Sequence, residues 1–424
     1  MKKQPRRALT QVGGETECRG DRVFSRPLQV AMEAPTTTKG FLSIHGFHAY
    51  PARMHPSIAQ VLLEQFFVGA RGKVLDPFCG SGTVMIEAMR SQWQGLGSDL
   101  DPIAIALART KTFVGNNRSF REFQNRLYLI GQASEQRVRE RVHVRANLSA
   151  SERQWYEPHV LKELAGLLEE IRNQSEGGQR QAFEMIFSAI LLKFSKQKSD
   201  TVEEIQEKRI RKGLVTEFFV RKGEELIECW KELADHVPRP VSRPSLLMAD
   251  AGQLKHKLGG EYQCDLIVTS PPYAGTYDYA HHHARRRSFL GMSAKRLMDG
   301  EIGARRDFAE ANINLQRNRL ESTWDRQVLT ILREMSVLLR PDGIAVMLIG
   351  DGEIAGQIRE ADLQIEALAD RSNLKFVACA SQSRPHPRDA LRRQRKNNSV
   401  VRDSEGMMAR REHLIALQKP VVPL

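Results

Sequence analysis

The ten residues Val74-Leu75-Asp76-Pro77-Phe78-Cys79-Gly80-Ser81-Gly82-Thr83 constrain the fold more than any other stretch of the chain. An apolar run ends in Asp-Pro, two glycines follow two apart in a small polar turn, and the helix-forming stretch TVMIEAMRSQ comes next. A strand that runs through a bare turn into a helix suits a nucleotide-like ligand. The missing side chains let the ligand approach the backbone, and the helix N-terminus offers free N–H groups. The third glycine of a dinucleotide fingerprint is absent, and no Gly-Lys-Ser/Thr follows, which excludes a P-loop. GLGSD at 95–99 then reads as a second strand, and DPIAIALARTKT as a second helix with Pro102 in its first turn. This quick alternation predicts a parallel sheet with crossover helices.

The alternation stops at about residue 118, and until about 240 the chain is charged and helical in pattern. EPHVLKELAGLLEEIR sets Val160, Leu161, Leu164, Leu168 and Ile171 on one stripe, and AFEMIFSAILLKFS does the same with Phe183, Ile186, Phe187, Ile190 and Phe194. Strand patterns return at SLLMAD (245–250), CDLIVTS (264–270), GIAVMLIG (343–350), LKFVACA (374–380) and EHLIALQK (412–419). The expected fold is therefore α/β, a Rossmann-like sheet of about seven strands with a helical insertion. The expected divisions are a disordered basic tail at 1–40, a cofactor-binding half at 41–117, the insertion at 118–240 and a catalytic half at 241–424.

Charge and cysteine content narrow the class. Sixty-four Lys and Arg against 51 Asp and Glu give a net charge of +13, which suits a polyanionic partner. The five cysteines are scattered without a CxxC pair, so neither a zinc site nor a disulfide framework is indicated. The basic N-terminus lacks the apolar core of a signal peptide, and the run IAVMLIG is too short to span a bilayer. A soluble cytoplasmic protein is expected, with no membrane partner.

Several side chains fit an adenosine ligand and a base amine. Asp99 ends the second strand, where a carboxylate can take both ribose hydroxyls, and Asp250 ends SLLMAD, where it can accept from an adenine amino group. Each can instead cap the turn or helix that follows it. In Thr269-Ser270-Pro271-Pro272-Tyr273 two prolines remove two N–H donors and turn carbonyls outward as acceptors. Acceptors that hold an exocyclic amine favour the charge developing on its nitrogen, and a tyrosine ring can stack on a base turned out of its helix. Beyond this lies AGTYDYAHHHARRRSFLG. Consecutive histidines cannot all face one ion, so no metal is expected, and Arg285, Arg286 and Arg287 suit a phosphate-lined groove. Residues 384–411 carry nine Arg or Lys against three acids, with Arg392, Arg393 and Arg395 candidates for nucleic-acid contact.

Taken in order, DPFCGSGT, GSDLDP, the acid of SLLMAD and TSPPY resemble motifs of the S-adenosylmethionine-dependent DNA amino-methyltransferases, which methylate N4 of cytosine or N6 of adenine. HAYPARMHP at 48–56 resembles the cofactor motif ahead of the glycine loop, and EHLIALQK the last strand. The resemblance spans roughly 41–112 and 245–420. It implies that Asp76, Phe78, Gly80, Ser81 and Gly82 line the methionine end of S-adenosyl-L-methionine, with Tyr50 and Arg53 near its carboxylate. It further implies Asp99 on the ribose and Asp250 on the adenine. Ser270 and the Pro271 carbonyl would hold the target amine, Pro272 would stiffen the loop, and Tyr273 would stack on the base. Serine at the first motif position is commoner in the N4-cytosine enzymes. DNA is the implied partner, and a cognate restriction nuclease is raised with it. Two alternatives stay open: an RNA guanine-N2 methyltransferase, which usually has Asp-Pro-Pro-Tyr, and a non-catalytic binder of the same fold. C5-cytosine chemistry is not expected, because none of the five cysteines follows a proline.

Overall fold

The computed structural model describes residues 15–37, 41–51, 53–66, 72–199, 202–276, 278–304, 317–354, 357–383 and 410–421. Among these, eight strands form one sheet: β1 (Glu17–Gly20), β2 (Lys73–Asp76), β3 (Gln94–Asp99), β4 (Ser245–Met248), β5 (Cys264–Thr269), β6 (Leu339–Gly350), β7 (Lys375–Ser383) and β8 (Arg411–Gln418). Their spatial order is β1-β7-β8-β6-β5-β2-β3-β4. The pairs from β6 to β4 are parallel, β8 lies antiparallel between β6 and β7, and β1 is antiparallel on β7. The chain steps outward from β2 to β3 and β4, then returns to the other side of β2 as β5. That reversal places a crevice at the carboxyl ends of β2 and β5.

Ten helices matter to the argument: α1 (Arg22–Thr37), α2 (Pro56–Gln65), α3 (Thr83–Arg90), α4 (Pro102–Lys111), α5 (Asn117–Glu140), α6 (Pro158–Gln174), α7 (Gly177–Phe194), α8 (Leu214–His236), α9 (Arg317–Leu338) and α10 (Ala361–Ala369). Both faces of the sheet are covered, which is why CDLIVT reads as a nearly continuous apolar run. Leu266 and Val268 of β5 pack with Leu28 of α1, Ile58 of α2 and Val84 of α3. Ile267 packs in the opposite core with Leu332 of α9 and Ile365 of α10.

The helical insertion forms a layer of its own. Val160, Leu164, Leu168 and Ile171 of α6, and Phe183, Ile186, Phe187, Ile190 and Phe194 of α7, are buried in one cluster with Phe123 of α5 and Trp230 of α8. The rings of Phe123 and Phe183 stack with centroids 4.2 Å apart. The layer is tied to the sheet domain where Trp230 Nε1 donates to the Thr110 carbonyl at the end of α4, at 2.7 Å.

One expectation is corrected. Of the expected disordered tail, residues 17–37 are built into the core as β1 and α1. Asp21 caps α1 by accepting from Val23 N at 2.9 Å, and Leu28, Ala31 and Met32 are buried. Pro27 and Pro35 inside this helix and a four-residue edge strand hide the pattern in the sequence. Leu28→Ala is expected to lower the unfolding free energy by about 2–5 kcal/mol in a urea titration. A loss under about 0.5 kcal/mol would mean that α1 is not part of the cooperative core.

Candidate active site

The cavity sits at the carboxyl ends of β2, β3, β4 and β5. Its volume is about 310 Å³, and its wall includes Tyr50, Phe78, Gly80, Asp99, Asp250, Ser270, Pro272 and Tyr279. A small annex of about 30 Å³ shares Tyr50, Phe78, Gly80 and Ser270 with it and adds Arg53, Asp76, Ser81 and Thr83. Most of the residues expected at the site therefore converge on one place.

The glycine loop explains its own composition. Gly80 has φ +48° and Gly82 φ +85°, both in the region that favours glycine. A Cβ on Gly80 would come within 3.1 Å of the Tyr50 ring, which lies over the loop. A Cβ on Gly82 would instead meet Ala108 at 3.0 Å, so that glycine serves the close approach of α3 to α4 rather than the ligand. Asp99 fixes the loop: Oδ2 accepts from Gly80 N at 2.9 Å, and Oδ1 accepts from Asp101 N at 2.8 Å. Its carboxyl is pushed up to about 7, chiefly by burial, against the opposing effect of these N–H donors. Asp250 both caps and faces the cavity. Its Oδ1 accepts from Gly252 N at 2.8 Å, and its Oδ2 has no hydrogen bond among the described residues.

Asp76 joins the two motifs. Its Oδ1 accepts from Thr269 Oγ1 at 2.7 Å and from Phe78 N at 3.1 Å, so the end of β5 is locked to the glycine loop. Ser270 and Pro272 emerge next to it on the cavity wall, while Pro271 is buried. Tyr273 does not face the cavity. It is buried, its hydroxyl donates to Glu412 Oε1 at 2.8 Å, and its ring lies 2.8 Å from where a Cβ on Gly350 would stand. The rings that the cavity does present are Tyr50, Phe78 and Tyr279.

The arginine cluster also departs from expectation. Arg286 and Arg287 are buried. Arg286 Nε donates to the Ser188 carbonyl of α7 at 3.1 Å, and Arg287 Nη1 stands 3.2 Å from both Asp101 oxygens. His283 Nδ1 lies 3.5 Å from Asp101, and its ring lies 5.1 Å from that of Tyr50. Burial would raise the Asp101 carboxyl, but the hydrogen bond to His283 and the charge of Arg287 hold it below its ordinary value. Arg287 and His283 brace the start of α4 at Asp101, His283 also lies against Tyr50, and Arg286 ties the run to α7, so the two buried arginines do not face solvent. Arg285 is half-buried, its guanidinium 3.9 Å from the centre of the Trp155 ring. Arg392, Arg393 and Arg395 lie outside the described residues.

Sequence reasoning missed the outer wall. Leu297, Asp299, Glu301 and Ile302 close the cavity on one side, and Gln327 and Thr330 of α9 on another. The segment 295–302 has no apolar period to mark it, and on α9 the polar Gln327 and Thr330 line the cavity beside the buried Ile331.

Residues 47–111 match the UPF0020 model, described as an RMKL-like methyltransferase domain. The match covers the unit that carries Tyr50, the glycine loop and Asp99. The chain is 23% identical over 279 residues to the type II methyltransferase M.BsoBI of Geobacillus stearothermophilus, covering 61% of this chain and 54% of that one. It is 34% identical over 70 residues to the type II methyltransferase M.MvaI of Kocuria varians, covering 16% of this chain and 15% of that protein. It is also 38% identical over 52 residues, 12% of this chain and 16% of the other, to a tRNA (guanine(10)-N2)-dimethyltransferase of Methanothermobacter thermautotrophicus. The chain thus spans about half of the first relative and a small part of the others. All three are methyltransferases by name.

Among the described residues no helix is long and apolar enough to cross a membrane.

Asp76 yields a pH-dependent prediction. It is 3% exposed, and burial raises its carboxyl to about 7, against the hydrogen bonds from Thr269 and Phe78. A raised carboxyl holds its proton better in the fold than in the unfolded chain. Its contribution is therefore most favourable below about pH 4 and is lost as pH rises to about 7. Asp76→Asn keeps an acceptor oxygen without the charge. It should stabilise the fold by up to about 4 kcal/mol at pH 8 and by almost nothing near pH 4 in paired denaturant titrations. Equal effects at both pH values would refute the buried-proton account.

Proposed function

We propose that the protein is an S-adenosylmethionine-dependent methyltransferase acting on the exocyclic amine of a nucleic-acid base, with DNA as substrate and cytosine N4 the preferred atom. One observation carries the reading. The Thr269–Asp76 hydrogen bond brings the Ser270-Pro271-Pro272 segment onto the same cavity wall as the glycine loop pinned by Asp99. In this reading an amine-holding group and an adenosine-holding group line one cavity.

The donor set fits the cofactor. The free oxygen of Asp250 suits the adenine amine, and the carboxylate of Asp99 suits ribose hydroxyls. The annex beside Arg53 and Ser81 suits a short charged chain. Bound S-adenosylmethionine supplies an electrophilic methyl group on a sulfonium sulfur. The protein's own part is to hold the amine in line and to exclude water. Ser270 Oγ accepts from the amine, and the short Pro-Pro segment prevents the loop from yielding as charge develops on the nitrogen. Tyr50 and Tyr279 provide ring faces against which an extruded base can rest.

The net charge of +13 supports a polyanionic substrate. So does a second cavity of about 420 Å³ in the helical layer, where Arg141, His143, Lys162 and Lys212 outnumber Glu163 on the wall and Arg137 is paired with Glu170. We assign target recognition to this layer. The similarity to type II methyltransferases and the serine at position 270 favour DNA and cytosine N4. The similarity to a tRNA guanine-N2 enzyme supports a second reading, RNA guanine, with the same amine chemistry.

Ser270→Ala should leave cofactor affinity within about twofold and lower kcat by roughly 10²-fold or more, as loss of one preorganised partner of the developing charge does. Calorimetry and steady-state methyl transfer measured on the same preparation decide it. A variant with unchanged kcat would remove Ser270 from the chemistry.

A further inference from the structure

Lys111, the last residue of α4, is fully buried. Its ammonium has one hydrogen-bond partner among the described residues, Ser81 Oγ at 3.2 Å. Ser81 stands between the two glycines of the loop, is itself buried, and lines the annex with Arg53. A lysine placed this deep beside a neutral hydroxyl is costly unless an anion completes its surroundings.

The neighbouring groups do not supply that anion. Arg53 donates to the His45 carbonyl. Glu87 of α3 is shared between His45 Nε2, at 2.7 Å, and Arg90, at 2.5 Å. Cys229 approaches from α8 as a thiol. Burial, and then the Arg53 charge, hold the lysine well below its ordinary value, with Cys229 opposing weakly. The annex, of about 30 Å³ and walled by Arg53 and Ser81, is a space for a group of a few atoms rather than a ring, and Lys111 reaches it through Ser81.

We infer that Lys111 is a positioning residue for an α-amino carboxylate, supplying with Arg53 the positive charge of the annex and holding Ser81 and the glycine loop ready for it. The inference rests on the S-adenosylmethionine reading, because the methionine end of that cofactor carries such a carboxylate. It adds a linkage. An arriving carboxylate stabilises the ammonium, so binding takes up a proton wherever the pH lies between the lysine's values without and with ligand. Across that window affinity falls as pH rises, by up to about tenfold per unit, and below it affinity is flat.

The test is calorimetric titration of the full chain with S-adenosylhomocysteine and with 5′-methylthioadenosine, which lacks the carboxylate, in two buffers of different ionisation enthalpy. Wild type, Lys111→Met and Lys111→Arg are compared. Wild type should take up more protons with S-adenosylhomocysteine than Lys111→Met does; the ligand's own amine contributes equally to both. Lys111→Met should weaken S-adenosylhomocysteine by about tenfold or more. Lys111→Arg should recover affinity without the extra proton, because arginine is charged throughout. All three should bind methylthioadenosine alike. Unchanged affinity and proton uptake in Lys111→Met, with both ligands binding, would overturn the role of Lys111 alone. Failure of wild type to bind either ligand would overturn the cofactor reading, and this inference with it.

Discussion

The site depends on one carboxylate. Asp99 accepts from Gly80 N and from Asp101 N, and so joins the glycine loop after β2 to the turn that starts α4. A loop of small residues with two positive φ angles has many conformations available, and two hydrogen bonds from backbone N–H groups to one side chain select one of them. Cys79 N donates to the Ser98 carbonyl at 2.9 Å, and a Cβ on Gly97 would stand 2.9 Å from that of Cys79, so the loop also lies tight against β3. The cavity's inner wall is therefore set before any ligand enters.

Buried charge behind the start of α4 holds this arrangement in place. Asp101 caps α4 by accepting from Ile103 N at 3.0 Å and is paired with Arg287 and His283. His283 in turn lies beside Tyr50, whose ring covers Gly80. Removing one member of such a buried pair strands the other, which costs more than the pair contributes. The His-Arg run after the Pro-Pro-Tyr segment is best understood in these terms. Arg286, Arg287 and His283 are internal braces, whereas Arg285 is half-buried against Trp155.

Much of this was legible in the sequence. The seven expected strands are present, the insertion helices bury the stripes their spacing marked, and the glycine loop, Asp99, Asp250 and Ser270 meet at one cavity. Those features follow from local rules: periodicity, turn chemistry and strand ends. What escaped depends on tertiary placement. Arg287 reads as surface until Asp101 is placed against it, and Lys111 reads as the solvated end of a helix until α8 covers it. Tyr273 follows two prolines and was expected at the cavity, yet its ring packs beneath Gly350 and its hydroxyl finds Glu412. The short β1 and the proline-containing α1 carry too little pattern to be recognised alone.

The central claim is that an exocyclic base amine receives the methyl group in this cavity. Mass spectrometry of nucleosides from duplex DNA and from tRNA, each incubated with the protein and isotopically labelled S-adenosylmethionine, tests it most directly. The account predicts label in N4-methylcytosine from DNA, with N6-methyladenine the second choice on the same substrate. Label confined to tRNA N2-methylguanosine would contradict the DNA assignment and leave the amine chemistry intact. Label in 5-methylcytosine, or in no nucleoside of either substrate, would contradict the claim itself.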